Sequence, residues 1–197
     1  MSIRLPAEQR RRQLMDVALD VFARRGFHAT SMNQVAYAAG VTKPVLYQHF
    51  ASKRELYAQL LADVGHRLEE QIAKATAQAG GPREQVELGF GAYFAFVESE
   101  RESFQLLFGS GTRHDDEFAE TARRVEAAIA ALLAELIDVP GLAQSERRLL
   151  AHGVVGIAEA TSRHWVAGDL ADDLDVATLA RRMAELAWAG LRGVQAG

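Results

Sequence analysis

The stretch "SMNQVAYAAGVTKPVLYQHFASKRE", residues 31–55, decides the fold. Ser31, with Gln34 three residues later, forms a capping box that begins a helix, because each side chain can bond a backbone amide near the other residue. Apolar residues at helical spacing follow. Gly40 is placed to end the helix in a left-handed conformation. These features predict a helix of about two turns.

A second short helix follows after a tight connection. Thr42 can cap it, and Pro44 is tolerated in its first turn because the amide that proline lacks has no intrahelical partner there. We expect this helix to end near Phe50. Ser52 and Glu55 then form another capping box, which begins a long helix.

The remainder of the chain also has helical periodicity. The preceding helix is expected over residues 7–25, and the long helix is expected to run from Ser52 toward Gly80. Alternating strand patterns are nearly absent, and residues 89–97 fit both periods but have helical flanks. Further helices are predicted at 83–99, 101–109, 115–137, 144–167 and 173–192. The sequence predicts an all-α protein of about nine helices.

Composition and charge narrow the class of protein. The 197 residues are 49% apolar and contain no cysteine. Through residue 60 there are nine Lys or Arg against four Asp or Glu, whereas the remainder has 13 against 22. A basic segment on an acidic body is expected when one end binds a polyanion, although chance scatter of charge is the plain alternative. The absence of a long apolar segment and the charged start predict a cytoplasmic protein without membrane insertion.

The second short helix can enter a DNA major groove and read base edges. Lys43 can reach guanine or phosphate, Gln48 can pair with adenine or contact phosphate, and Val45 can pack on a thymine methyl group. Singly, each side chain could instead be a cap, a packing residue or an ordinary surface residue. The candidate DNA contacts are Ser31, Gln34, Thr42, Lys43, Pro44, Val45, Tyr47, Gln48, His49 and Lys53.

The runs "FHATSMNQVA", residues 27–36, and "AGVTKPVLYQHFASKREL", residues 39–56, strongly resemble the amino-terminal signature of TetR-family transcriptional regulators. The resemblance implies a homodimer that binds a near-palindromic operator, usually as a repressor, and responds to a small ligand. It divides the chain into a helix-turn-helix domain, residues 1–55, and a ligand-binding and dimerisation bundle, residues 56–197. Position by position it implies DNA contacts by Ser31, Thr42, Lys43, Tyr47, His49 and Lys53. Pro44 replaces the small residue of many relatives and excludes a backbone amide contact to phosphate there.

Large apolar side chains are abundant after residue 83, and most of them are expected to form core. Within a TetR-like arrangement, some of them line a ligand cavity. A cavity of this composition would suit a long, flexible apolar molecule. A looser resemblance to actinobacterial regulators that sense long-chain acyl-CoA, carried by residues 43–57 and 153–165, favours a fatty acyl chain. The candidate ligand contacts are Phe90, Phe94, Phe104, Phe108 and Trp165.

The last two predicted helices are apolar along most of their length, and small residues on the first permit close approach of a second helix. Both could be intramolecular core, but the family resemblance places them in a four-helix dimer interface. The candidate interface residues are Leu149, Gly153, Gly156, Ile157, Ala160, Met183, Leu186 and Leu191.

Two other functions compete with a DNA-binding regulator. An enzyme is disfavoured because the sequence contains no zinc-protease pattern, phosphate loop or serine elbow, and no cofactor is expected. Residues 114–117, His-Asp-Asp-Glu, could bind a metal, but capping and the helix dipole explain acidic residues there. A helical carrier of an apolar ligand that does not bind DNA would explain the aromatic bundle, but not the basic segment.

Overall fold

The structure is a computed structural model that describes residues 6–109, 112, 114–170 and 174–194. Within these ranges it contains nine α-helices and no strand, which confirms the all-α prediction. The helices are α1 (Ala7–Ala29), α2 (Met32–Ala38), α3 (Lys43–His49), α4 (Lys53–Thr76), α5 (Pro82–Ser99), α6 (Arg101–Phe108), α7 (Asp116–Leu136), α8 (Gln144–Ala167) and α9 (Val176–Leu191).

The helix boundaries follow the local signals closely. At Gly26 the backbone turns to φ 77°, so the regular part of α1 stops there, and one more helical turn follows to Ala29. The segment 89–97 lies inside α5 and is helical, as its flanks indicated. The long helix α4 ends at Thr76, a few residues before Gly80. The last helix was predicted to start at 173, which lies outside the described residues.

Half of the predicted capping box before α4 is present, because Glu55 accepts the amide of Ala51 and not that of Ser52. The hydroxyl of Ser52 accepts a hydrogen bond from the Glu55 amide at 3.0 Å, and the Glu55 carboxylate accepts one from the Ala51 amide at 2.7 Å. The Ser52 hydroxyl satisfies an amide in the first turn of the helix, and the Glu55 carboxylate satisfies the amide just before the N-cap. These two bonds explain why α4 begins sharply only a few residues after α3 ends.

Packing divides the chain into two units. The first unit consists of Met1–Val64 and Glu102–Thr121, and the second consists of Gly65–Arg101 and Ala122–Gly197. This division differs from the functional boundary at 55/56, which remains a prediction. It assigns α6 and the start of α7 to the first unit, where Phe118 of α7 packs on Phe27 of α1 and Tyr57 of α4.

Aromatic side chains from distant parts of the sequence form the core of the first unit. The Phe118 ring lies 4.8 Å from Phe27 and 4.6 Å from Tyr57 between centroids, and Phe22 lies 5.0 Å from Tyr57. Full burial of such a side chain contributes about 1.5–3 kcal/mol. This cluster therefore fixes α1, α4 and the start of α7 to one another.

The second unit is built from helices that pack closely. Gly65 in α4 makes one approach possible, because a Cβ added there would lie 2.2 Å from the side chain of Val125 in α7. Phe94, Phe96 and Val97 of α5 are fully buried. A membrane-crossing helix must be long and almost wholly apolar, and none of the helices in the described parts of the chain meets that requirement.

Candidate nucleic-acid interface and ligand cavity

The helix α2 is capped and anchored as predicted. The Gln34 amide donates to the Ser31 hydroxyl at 3.3 Å, and the Ser31 amide donates to the Gln34 side-chain oxygen at 2.8 Å. Met32, Val35 and Ala36 are buried on its inner face. Both candidate DNA contacts on this helix are thus engaged in the cap, with Ser31 exposed and Gln34 partly buried.

The connection between α2 and α3 is tight and left-handed. Gly40 has φ 64°, a region that glycine occupies without the strain a side chain would add. The Val41 amide donates to the Ala36 carbonyl at 3.0 Å, which closes α2. Thr42 occupies the N-cap position of α3, but its side chain makes no capping hydrogen bond, so the predicted capping role of this hydroxyl is wrong. With proline in the first turn, fewer amides of α3 need a cap.

One face of α3 is buried and apolar, and the other is exposed and polar. Leu46 is fully buried and anchors the helix on its neighbours. On the outer side Lys43 and Gln48 are exposed, Tyr47 is 41% exposed, and the Lys43 ammonium lies 5.7 Å from the centre of the Tyr47 ring. The structure thus brings a cation, an aromatic hydroxyl and an amide together on one exposed surface. We call Thr42, Lys43, Pro44, Tyr47 and Gln48 the α3 face.

Two candidates lie at the margin of the α3 face. Val45 and His49 are each partly buried, and neither extends freely into solvent. Both were predicted, together with the exposed residues of α3, to contact DNA. Burial separates them from the exposed candidates, because Val45 and His49 lie between the exposed side and the buried Leu46.

Lys53 has internal partners that the sequence did not indicate. Its ammonium donates to the carbonyls of Phe27 and Thr30, at 2.7 and 2.8 Å, and lies 4.2 Å from the centre of the Phe27 ring. It therefore closes the end of α1. An ammonium has three donors, so one remains for the predicted phosphate contact.

Two side chains near the interface were missed. Tyr37 in α2 is 88% exposed, and its position one turn after Asn33, outside the inward stripe, could have revealed it. Arg11 of α1 donates to the carbonyl of His49 at 2.8 Å. No local pattern could have revealed Arg11, because its partner is 38 positions away.

Arg54 holds the acidic residues at the start of α7. Its guanidinium binds Asp115 at 2.6 Å and also binds Glu117, and it lies 4.7 Å from the centre of the Phe118 ring. The hydrogen bond to Glu117 raises the pKa of Arg54, and the hydrogen bond from Arg54 lowers the pKa of Asp115. Asp115 and Glu117, two of the four residues that could bind a metal at 114–117, are thus ion-paired with Arg54. Among the described residues no cluster of three or more metal-ligating side chains occurs.

The second unit contains a cavity of about 350 Å³. Its wall is mainly aliphatic and aromatic, and most of it comes from α5, α7, α8 and α9. The lining residues are Ile72, Pro82, Gln85, Val86, Gly89, Phe90, Tyr93, Ile129, Leu133, Leu136, Ile137, Asp138, Val139, Pro140, Val154, Val155, Ala158, Trp188, Leu191, Arg192 and Val194. Burial raises the pKa of the Tyr93 hydroxyl far above its usual range, so this group stays neutral.

Of the five aromatic residues predicted to line a ligand cavity, Phe90 alone lines this one. Phe94 is fully buried and packs edge-on against Tyr93. Phe104 and Phe108 belong to the first unit, where their rings lie 5.2 Å apart, and the Trp165 ring lies 5.6 Å from the Arg101 guanidinium. The prediction that these four line the cavity with Phe90 is therefore corrected. Helical spacing predicts which face of a helix is buried, but it does not predict which residues of that face border a cavity.

The predicted dimer residues fall into two groups. Leu149 and Leu186 are 71% and 57% exposed, and open space surrounds the positions where Gly153 and Gly156 would carry a Cβ. They leave an apolar face on α8 and α9 that the second unit does not cover. The others, Ile157, Ala160, Met183 and Leu191, are partly buried, and Leu191 also lines the cavity.

Comparison with known proteins gives matches over both parts of the chain. Residues 14–60 match the family model described as bacterial regulatory proteins of the tetR family. Residues 82–190 match the model described as a tetracyclin repressor-like C-terminal domain. The first match includes α2, α3 and the start of α4, and the second includes most of the cavity wall.

Individual proteins similar to this chain are also bacterial transcriptional regulators. The HTH-type transcriptional activator FasR of Mycolicibacterium smegmatis is 33% identical over 192 residues, which cover 97% of this chain and 87% of that protein. A TetR-like transcriptional regulator from Rhodococcus sp. RHA1 superposes with a TM-score of 0.77 at 33% identity, over 97% of this chain and 100% of that one. The regulator FadR of Bacillus subtilis, solved in complex with stearoyl-CoA, has a TM-score of 0.78 over 91% of this chain and 98% of its own. At 19% identity, that likeness shows the fold alone.

Proposed function

Because the chain belongs to the TetR family of bacterial regulatory proteins, we propose that it is a ligand-responsive transcriptional repressor that binds a near-palindromic operator as a homodimer. An apolar small molecule in the cavity of the second unit would change its affinity for DNA.

The observation that carries the proposal is the α3 face. A helix of seven residues fits a major groove, and its first turns are where base contacts are made. Lys43 would reach guanine or phosphate, Tyr47 would donate to phosphate, and Gln48 would pair with adenine or contact phosphate. Pro44 donates no amide, so its contribution to the interface is its shape.

The apolar face of α8 and α9 supports a homodimer. Exposed Leu149 and Leu186 beside open Gly153 and Gly156 would let the same two helices of a second copy approach closely in a four-helix contact. A twofold axis would then present two reading helices to half-sites separated by about 34 Å or a multiple of it.

Replacing Leu149 and Leu186 by Asp should convert the dimer to monomer in sedimentation equilibrium. Ala131→Asp, on an exposed position of α7, should leave it intact.

The cavity supports an apolar effector. Its wall offers few polar side chains, and 350 Å³ is within the range of small-molecule sites. We propose a fatty acyl chain, which agrees with the stearoyl-CoA complex of the FadR structure.

The helix α4 supplies Ile72 to the cavity wall and residues 53–64 to the first unit, so we propose that it transmits the effect of effector binding on DNA affinity. The change in DNA affinity can be no larger than the effector's differential affinity for the two states.

A salt titration tests the proposal. Duplexes from the region beside the protein's own gene should be retained at low salt, and affinity should fall steeply as salt rises, because phosphate contacts release counterions. Absence of duplex binding at every salt concentration would favour the alternative, a carrier of an apolar ligand.

The direction of regulation is tested with a reporter gene behind the bound site. A repressor predicts higher reporter expression when the gene of this protein is deleted.

A further inference from the structure

Arg11 lies in α1, outside the α3 face, but its side chain holds the end of α3. Its guanidinium donates one hydrogen bond to the carbonyl of His49, the last residue of α3, at 2.8 Å. A second donor binds the side-chain oxygen of Gln59 in α4. The guanidinium also lies 4.6 Å from the centre of the Phe50 ring. One side chain of α1 therefore contacts α3, α4 and Phe50, which lies between them.

The contact continues as a chain of hydrogen bonds. The Gln59 side-chain amide donates to one oxygen of the Glu55 carboxylate at 2.9 Å. The other oxygen of Glu55 accepts the amide of Ala51 at 2.7 Å. Arg11 and Glu55 thus bond to the backbone on both sides of Phe50, at positions 49 and 51, and Gln59 links the two side chains. We call these three side chains the Arg11 relay.

A helix as short as α3 needs such an external support. Its last carbonyls have no intrahelical partner, and Leu46 is its one fully buried side chain. Hydrophobic packing of a single anchor leaves rotation about that anchor weakly restrained, because the hydrophobic effect is non-directional. Hydrogen bonds from a charged donor are directional and stronger than neutral ones.

We infer that Arg11 is a positioning residue for operator recognition, which sets the orientation of α3 through the Arg11 relay and does not itself contact DNA. This inference rests on the proposed function. A misoriented α3 loses base contacts, which require close geometry, whereas phosphate contacts tolerate displacement. Loss of Arg11 should therefore reduce discrimination between operator and unrelated duplex. A mere surface charge would affect both duplexes equally.

The test uses the full chain and compares Arg11→Met with Arg12→Met. Both remove one positive charge from adjacent positions of α1, but Arg12 is exposed and has no hydrogen-bond or ion-pair partner among the described residues. Methionine retains an apolar stem near Phe50. The ratio of operator affinity to non-specific affinity should fall roughly tenfold for Arg11→Met and remain unchanged for Arg12→Met. The salt dependence of non-specific binding should be the same in wild type and Arg11→Met.

Further variants separate orientation from folding. Arg11→Lys keeps the charge and can reach one of the two acceptors, so it should restore part of the discrimination. Gln59→Met leaves Arg11 in place and breaks the relay at its second member. It should lower discrimination roughly threefold, and it serves if Arg11→Met does not fold. Unchanged discrimination in the folded variants, or an equal loss on both duplexes, would overturn the inference. A wild-type protein that binds no operator would instead refute the proposed function.

Discussion

Both units have buried aromatic side chains, but only in the second unit do some of them also line the described cavity. In the first unit Phe27, Tyr57 and Phe118 lie within 5 Å of one another, and the cations of Lys53 and Arg54 cover two of the rings. In the second unit aromatic side chains line a cavity of about 350 Å³ among aliphatic neighbours. The comparison shows that aromatic content does not distinguish a closed core from a cavity wall. Where the neighbouring residues close on the rings they form a core, and where they do not they leave a cavity.

The largest effect is expected in the closed cluster. Phe118→Ala should reduce the free energy of unfolding by about 3–5 kcal/mol, because Phe118 is fully buried and contacts two other rings. Phe90→Ala should cost about 1–2 kcal/mol less, since Phe90 already borders a void. Urea unfolding at one fixed protein concentration measures both. Equal costs would mean that the two aromatic clusters do not differ as described.

The next effect concerns the α3 face. Lys43→Ala combined with Tyr47→Ala should weaken operator binding roughly 100-fold, because each side chain is expected to supply a contact of 1–3 kcal/mol. Thermal unfolding should be nearly unchanged, as both side chains are exposed. Lys74→Ala with Gln78→Ala is the matched control, since both positions are exposed in the second unit. Retention of operator by the first double variant would remove α3 as the reading helix.

A smaller effect is expected from filling the cavity. Val86→Trp places a large ring in the lined space and should weaken binding of stearoyl-CoA roughly tenfold or more, measured by calorimetry. Affinity for operator without effector should stay the same. Val176→Trp, which does not line the cavity, should leave both unchanged. Undiminished ligand binding by Val86→Trp would place the effector elsewhere.

The smallest effect is the contribution of Asp115 to acid stability. Because Arg54 lowers its pKa in the folded state, the stabilisation is present above the unfolded pKa of about 3.9 and is lost as pH falls through the lower folded value. Asp115→Asn should therefore flatten the dependence of the unfolding midpoint on pH below about 4. Asp116→Asn, at an exposed neighbour without an ion pair among the described residues, should keep the wild-type slope.

Much of the fold could be predicted because its signals are local. Capping residues such as Ser31 and Ser52 act on amides only three positions away, and Gly40 acts on its own backbone. Predicted helices therefore agree with the structure to within a few residues. Motif order also allowed recognition of the family, since the α2–α3 region is specified by short spacings.

The site was predicted only in part. The sequence correctly placed Lys43 and Gln48 on an exposed helix surface. It indicated Lys53 only as a DNA contact, although the carbonyls of Phe27 and Thr30 at the end of α1 hold its ammonium. It also grouped Phe104 with Phe90, which belong to different units. Partners of these side chains lie far along the chain, so spacing within one helix carries no information about them.

By itself, then, the sequence determined the helices, their order and the family, because hydrogen bonds and helical periodicity act over a few residues. Tertiary structure alone decided that Arg11 reaches a carbonyl 38 positions away and that Phe90, but not Phe94, borders the cavity. The physical reason is that close packing selects among many side chains of equal hydrophobicity. That selection depends on the shapes of all neighbours at once.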